Sequence, residues 1–432
     1  MVNGFAGTIR VFCHLSIRGI SRVPVCTAVL LYSFGVSPGH SWAQGVDAFS
    51  VRDSAGITIM ESMDSVWTAR TAWIVEESPE VEIGSRFGES GAVFGSITDA
   101  ARFSDGRFAV ADPMSRTVGV FNRYGGFLFS VGGRGEGPME IHTMGEVSVL
   151  DGDSLVVQDL RTPKRIYFGP SGDHLRTVTQ PGIGWRGHLV PRIVGTMPDG
   201  SFLATYRPEE ADYPSGRAST FSELFLFDQN GVDQGLIAAL PAFATVNEGP
   251  TKDILALGPY PSFAPDQRGF WFGFPLTYEL LHYSPQGVDR IVRRSWEPGV
   301  VPKRTREEYR AWRKAAFKGP VPDFVDRILR NEPIAETFPA FKQFLLSPDG
   351  HLWVEEYPTE VDDLVGIWER RYSASRSRWT VFDPQGRWLG SVLMPKGLRI
   401  TEIGSDYVLG IWKDELDVSF VHLHRIVKPE AR

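Results

Sequence analysis

His422 and His424 alternate along the run VSFVHLHRIV (418–427). In a strand both imidazoles point to one face, a spacing that could hold a metal ion, although a place in the packing or in solvent also accounts for such a pair. GGRGEG (132–137) has the glycines of a phosphate loop. Such a loop follows a strand and opens a helix, whereas here Pro138 and another strand-like run follow, so a turn between sheets accounts for it better. DGD (151–153) and PDG (198–200 and 348–350) lack the spaced acids and distant Glu of a calcium loop and are better explained as hairpin turns. No H-E-x-x-H or C-x-x-C motif occurs. The chemistry therefore has to be sought in where the elements place residues.

Those elements repeat. FSDGRFAVAD (103–112) with VGVFNRYGGFLFSVG (118–132) matches SPDGHLWVEE (347–356) with WTVFDPQGRWLGSV (379–392). One turn of each unit is placed at Gly106, Gly152, Gly200, Gly269, Gly350 and Ser405-Asp406. A second falls at Gly126, Gly172, Gly231, Gly287 and Gly386. Asp-Gly and Asn-Gly supply the positive φ of tight hairpins, and the runs between them are strand-length and rich in Val, Phe, Leu and Trp. A unit of this kind cannot bury both faces alone, so the units must stack or close into a ring. The last unit has three strands, RITEIG, YVLGIW and VSFVHLHRIV. An orphan stretch near the N-terminus, AWIVEESPEVEIG (72–84), can supply the fourth. A linear array needs no such strand, so the expectation is an all-β six-bladed β-propeller whose last blade is closed by an N-terminal strand. Residues 50–61 add a short hairpin-like stretch.

The chain has 432 residues, 42% hydrophobic, with 45 Gly and 30 Pro, which suits one large turn-rich array. Residues 1–43 resemble an export signal, with Arg10, Arg18 and Arg22 before an apolar run (23–36) too short to span a bilayer, and Ser41-Trp42-Ala43 at the cleavage positions. Residues 44–432 then form the propeller domain, periplasmic or extracellular, with no later membrane span. Cys13 and Cys26 both fall in the signal, so the mature chain carries no thiol chemistry. Without residues 1–43 it has 42 basic and 52 acidic residues, a net charge of −10, which disfavours nucleic acid as a partner. A monomer is expected.

Residues 302–332 interrupt the strands. TREEYRAWRKAAFK (305–318) has helical spacing, with Thr305 and Glu308 resembling a capping box and Pro320 and Pro322 stopping the helix. DFVDRILRN (323–331) is expected as a second helix. This helical insertion lies between blades four and five. With the other insertions (206–222, 234–260 and 355–378) it belongs to the connections on one face of the disc, so one face is trimmed and the other elaborated. Function on a repeat scaffold concentrates where loops vary. His142, His188, Arg192, Tyr260 and Lys342 enter or begin innermost strands at that face, and Tyr206, Arg207, Glu355, Glu356 and Trp412 end second strands there. Together they would form a mixed-charge mouth for an anionic or sugar-like ligand.

In register, the chain resembles the six-bladed propellers related to NHL-repeat and TolB-like proteins. It is most similar to an exported bacterial group that opens with a phrase such as DSAGITIMES (53–62) and carries one like GGRGEGPMEI (132–141) after the first blade. Met139 and Ile141 stand where that group has Gly and Phe. The resemblance implies the fold and export, with no mechanism attached. The expectation is a binding or scaffold propeller, without cofactor, that engages a small molecule or protein over blades three to five. The alternatives are a helix-gated receptor and a lactonase-like hydrolase or lyase, which would place calcium or zinc in the channel mouth with His142 and His188 as ligands.

Overall fold

The computed structural model describes residues 48–85, 93–182, 184–189, 191–207, 216–248, 251–315, 323–360, 363–364 and 376–429. The expected signal, 1–43, lies outside them. Blade one comprises Asp99–Arg102, Phe108–Asp112, Thr117–Phe121 and Phe127–Gly132. Blade two comprises Met144–Val149, Leu155–Asp159, Lys164–Phe168 and His174–Thr179. Blade three runs from Arg192–Thr196 and Phe202–Tyr206 into Gly216–Phe227, Asp233–Glu248 and a short fifth strand, Thr251–Ile254. Blade four is Ser262–Asp266, Gly269–Gly273, Glu279–Ser284 and Gly287–Arg294. Blade five is Phe341–Leu346, Leu352–Glu356, Arg378–Phe382 and Trp388–Leu393. Blade six is Arg399–Ile403, Tyr407–Lys413 and Ser419–Val427. First strands lie together between blades one and two, three and four, four and five, and five and six, and those of blades six and one close the ring. The protein is a six-bladed β-propeller.

Burial explains the sequence pattern. Middle strands pack against a neighbouring blade on each face, so FAVAD, LVVQD and KRIYF are buried at every residue and do not alternate. The four largest core clusters lie between neighbouring blades; Val118, Val120, Ile141 and Val157, for example, join blades one and two. The hairpin glycines take the left-handed conformation their turns need, as at Gly106 (φ 90) and Gly386 (φ 78). In blade one that residue is Gly125 (φ 85), next to the expected Gly126.

The expected closing segment forms two short strands. Val81–Ile83 pairs with the third strand of blade six through Val421↔Ile83, His422↔Glu82 and Leu423↔Val81. Ile74–Val75 pairs with Ile426 and Val427. Ile83 is buried in the cluster between blades six and one. The 50–61 stretch is a hairpin, Phe49–Ser54 with Ile57–Ser62, and its second strand runs parallel to Gly287–Arg294. It therefore extends blade four outward, a placement the sequence pattern does not reveal. The Oγ of buried Ser62 accepts the Trp388 N–H at 3.0 Å, tying this extension to blade five.

The innermost strands leave an unpaired edge toward the channel. Side chains from the preceding blade satisfy part of it. Asp99 Oδ2 accepts Val147 N–H at 3.1 Å, Ser262 Oγ accepts Phe344 N–H at 3.1 Å, and Glu402 accepts Arg102 N–H at 2.9 Å. Burial, and next the neighbouring Glu146, push the Asp99 carboxyl up to about 7 against the pull of Val147.

The elaborated connections differ from expectation in two places. Most of the described residues of 206–222 and 234–260 are strand: the third and fourth strands of blade three pair from Gly216↔Asn247 to Phe227↔Asp233 as a long ribbon. Helix α1 (Lys303–Ala315) starts earlier than its pattern suggests. The Pro302 carbonyl accepts Arg306 N–H at 3.2 Å, placing Pro302 at the N-cap, so buried Thr305 sits inside the first turn and the expected capping box does not form. Helix α2 (Asp323–Asn331) matches expectation. Pro320 and Pro322 lie outside the described residues.

Two outcomes follow from ring closure. Ile83→Ala should cost about 2–4 kcal/mol in chemical denaturation, the range for a core aliphatic. A loss under about 0.5 kcal/mol would mean the N-terminal strands merely lie on the surface. His422 is pushed down to about 4 by burial and then by His424; Glu82, 2.9 Å from Nε2, favours the charged form but is half exposed and does not prevail. The folded state thus binds fewer protons than the unfolded between about 6.5 and 4, and stability present above that window is lost as pH falls through it. The melting temperature of the wild type should drop more between pH 7 and 4.5 than that of His422→Asn; equal drops would contradict this.

Candidate functional site

On the elaborated face the helices cover a cavity of about 390 Å³ beside the first strand of blade five. Its walls come from 255–258, Tyr260, Tyr309 and Arg313 of α1, Glu332 just beyond α2, Phe341, Lys342 and Tyr357. The linkers on either side are pinned by short pairings, Ala256 with Ile334 and Val300 with Thr337. Leu257, buried in the wall, is held at φ 56, a left-handed conformation uncommon for a branched residue and found where surroundings over-determine the backbone. A second cavity of about 300 Å³, lined also by Glu355, Glu356, Arg376 and Arg378, shares Lys342 and Tyr357 with the first.

Ion pairs hold the helical insertion together, and another braces the floor. Arg313 donates through Nε and Nη2 to the two Glu332 oxygens, each at 3.2 Å, and Tyr309 Oη donates to Glu332 Oε1 at 3.1 Å. Lys314 on α1 meets Asp326 on α2 at 2.8 Å. In the floor, a bulge between Phe341 and Gln343 turns two successive side chains toward the same partner. Lys342 Nζ reaches Glu355 Oε1 at 2.8 Å and Gln343 Nε2 reaches Oε2 at 2.7 Å. Burial raises the phenol pKa of Tyr260, Tyr309 and Tyr357; Glu332 adds to it at Tyr309, and Tyr260 and Tyr309 add to it at Tyr357. All three are neutral donors at physiological pH.

Four of the expected residues thus converge: Tyr260, Lys342, Glu355 and Glu356. Arg192, exposed at the start of blade three, is near enough to Tyr260 to act on its charge. Arg207 lies with its guanidinium 5.3 Å from the Phe243 ring on the blade-three ribbon. The others are elsewhere. His188 is buried, with Nε2 2.9 Å from Glu223 and its ring against Trp185, Tyr206 and Phe225. Tyr206 belongs to that aromatic cluster and its hydroxyl is buried without a partner among the described residues. His142 donates its backbone N–H to Asp159, and its Nδ1 lies 3.4 Å from Thr143 Oγ1. The two histidines sit in different surroundings, and among the described residues no group of three or more His, Cys, Asp or Glu side chains is placed to hold a metal ion. Trp412 stacks on His422 at 5.1 Å and 17°, lining a separate cavity of about 820 Å³ with His424 and Pro395–Gly397.

Sequence reasoning passed over three features. Asp112 and Asp159, each ending a second strand, accept backbone N–H groups from both the connection entering their own blade and the turn that follows. Their shared place in FAVAD and LVVQD was a usable signal. The second is His282, fully buried in blade four between Asp289 (Nδ1, 2.5 Å) and Asp266 (Nε2, 3.1 Å). It joins two turns of the trimmed face that are distant in sequence. The third is a cavity of about 570 Å³ on that face. Its carboxylates largely cap turns: Asp266 accepts Arg268 N–H, and Asp383 accepts Gln385 and Arg387 N–H.

No family model matches the sequence, and neither does any curated protein sequence. Solved structures similar to this chain include a Bacteroides fragilis protein named for its inferred export, 12% identical over 86% of this chain and 100% of its own, TM-score 0.46. A DUF4221 member from Bacteroides vulgatus is 8% identical over 83% and 99%, TM-score 0.44. A gluconolactonase from Xanthomonas campestris is 10% identical over 82% and 100%, TM-score 0.38.

If Glu332 is what anchors α1, Glu332→Gln should destabilise the protein by about 1–3 kcal/mol and speed amide exchange in 303–315 selectively. Unchanged exchange there would show that the helix is held by other contacts.

Proposed function

We propose that this protein is a non-catalytic, exported binding propeller of the NHL-like kind, and that it takes a small ligand on its elaborated face over blades four and five. One observation carries the reading: the helical insertion roofs a cavity whose opposite wall is the innermost strand of blade five, so the largest departure from the repeat encloses space where the channel opens. Cavities with aromatic walls and few convergent polar groups are where small ligands bind. The pinned linkers and the shared Glu332 make α1 and α2 a roof that ligand can order further, consistent with helix gating. The hydrolase alternative finds no support in His142 and His188, whose imidazoles are engaged by different partners.

The test is a thermal-shift screen with neutral, anionic and cationic small molecules, repeated on Tyr357→Ala. Ligands of this site raise the melting temperature of the wild type, lose that effect in the variant, and slow exchange in 303–315. Stabilising ligands indifferent to Tyr357→Ala would place binding elsewhere.

A further inference from the structure

The charges around the roofed cavity are already matched. Arg313 is bound on two sides by Glu332, and Lys342 by Glu355. A ligand carrying its own charge would have to break one of these pairs and leave a partner uncompensated in a partly buried place. What remains on offer is different. Tyr260, Tyr309 and Tyr357 line the cavity with aromatic surface, and fully buried Phe341 backs its floor. The hydroxyls of Tyr260 and Tyr357 make no hydrogen bond to any described residue, whereas that of Tyr309 is spent on Glu332. Each ion pair also places N–H donors beside carboxylate acceptors, the arrangement that two adjacent hydroxyls, each donor and acceptor, can satisfy together. Aromatic faces favour the C–H surface of a ring, and raised phenol pKa values keep the tyrosines as donors.

From this combination we infer that the ligand is an uncharged saccharide, its ring laid on the tyrosines and its vicinal hydroxyls spanning the Arg313–Glu332 and Lys342–Glu355 pairs. The inference rests on the binding reading above and specifies its ligand. The neighbouring cavity of about 300 Å³, which shares Lys342 and Tyr357 with the first, is where a second sugar unit would extend.

The experiment is saturation-transfer NMR with glucose, mannose, N-acetylglucosamine, cellobiose and maltose, alongside benzoate and benzylamine as charged ring probes. Wild type, Tyr357→Phe and Tyr357→Ala are compared, all first shown to keep the native melting profile. At least one saccharide should bind, with affinity falling roughly three- to ten-fold in Tyr357→Phe, the effect of one neutral hydrogen bond, and further in Tyr357→Ala. Binding of benzoate or benzylamine in place of sugars, sensitive to Tyr357→Ala, would overturn the saccharide assignment and leave the binding site standing. Saccharide binding equal in all three proteins would overturn both. No saccharide binding at all would overturn the assignment alone, the wider screen deciding the site.

Discussion

A four-stranded blade has two apolar faces, and neither can be left to water. Everything in this fold follows from the need to cover both at once, which a ring achieves and a row cannot. The constraint is most exposed at the join. Blade six has three strands of its own, and its outer edge is covered by Val81–Ile83 and Ile74–Val75 from the other end of the domain. Long-range closure also sets where polarity is tolerated: His422 and His424 occupy interior positions of that join.

A closed ring frees one surface from structural duty. The trimmed face is made of tight hairpins whose side chains are spent on their own turns, as with Asp266 and Asp383. The other face carries connections that the ring does not need, and they enclose space. The tyrosine-lined cavity belongs jointly to rigid scaffold, through Phe341 and Lys342, and to the insertion, through Tyr309 and Arg313. Blade and insertion thus each supply one side of the enclosed space.

The repeat made blade count, hairpin turns and closing strand legible, because each depends on local spacing and on a positive-φ residue. What stayed hidden depends on contacts between distant segments. The parallel seat of Ile57–Ser62 on blade four needs Ser62 to meet Trp388, and no periodicity encodes that. Helix α1 was visible, but its start was misplaced because Thr305 looks like a cap and Pro302 is one. At the site, Tyr260, Lys342, Glu355 and Glu356 were found from strand position alone. Tyr309, Arg313, Glu332 and Tyr357 were missed since they lie in or beside insertions that share no register with the blades. His188 and Trp412 held the right register, yet side-chain packing turned one into an aromatic cluster and the other toward His422.

The most direct test of the central claim is a crystal structure of the protein grown with the ligand that stabilises it most. Density for that ligand should lie beneath α1, bounded by Tyr260, Tyr309 and Tyr357, with the Arg313–Glu332 pair in contact. Density in the trimmed-face cavity, or in the cleft beside Trp412 and His424, would contradict the account.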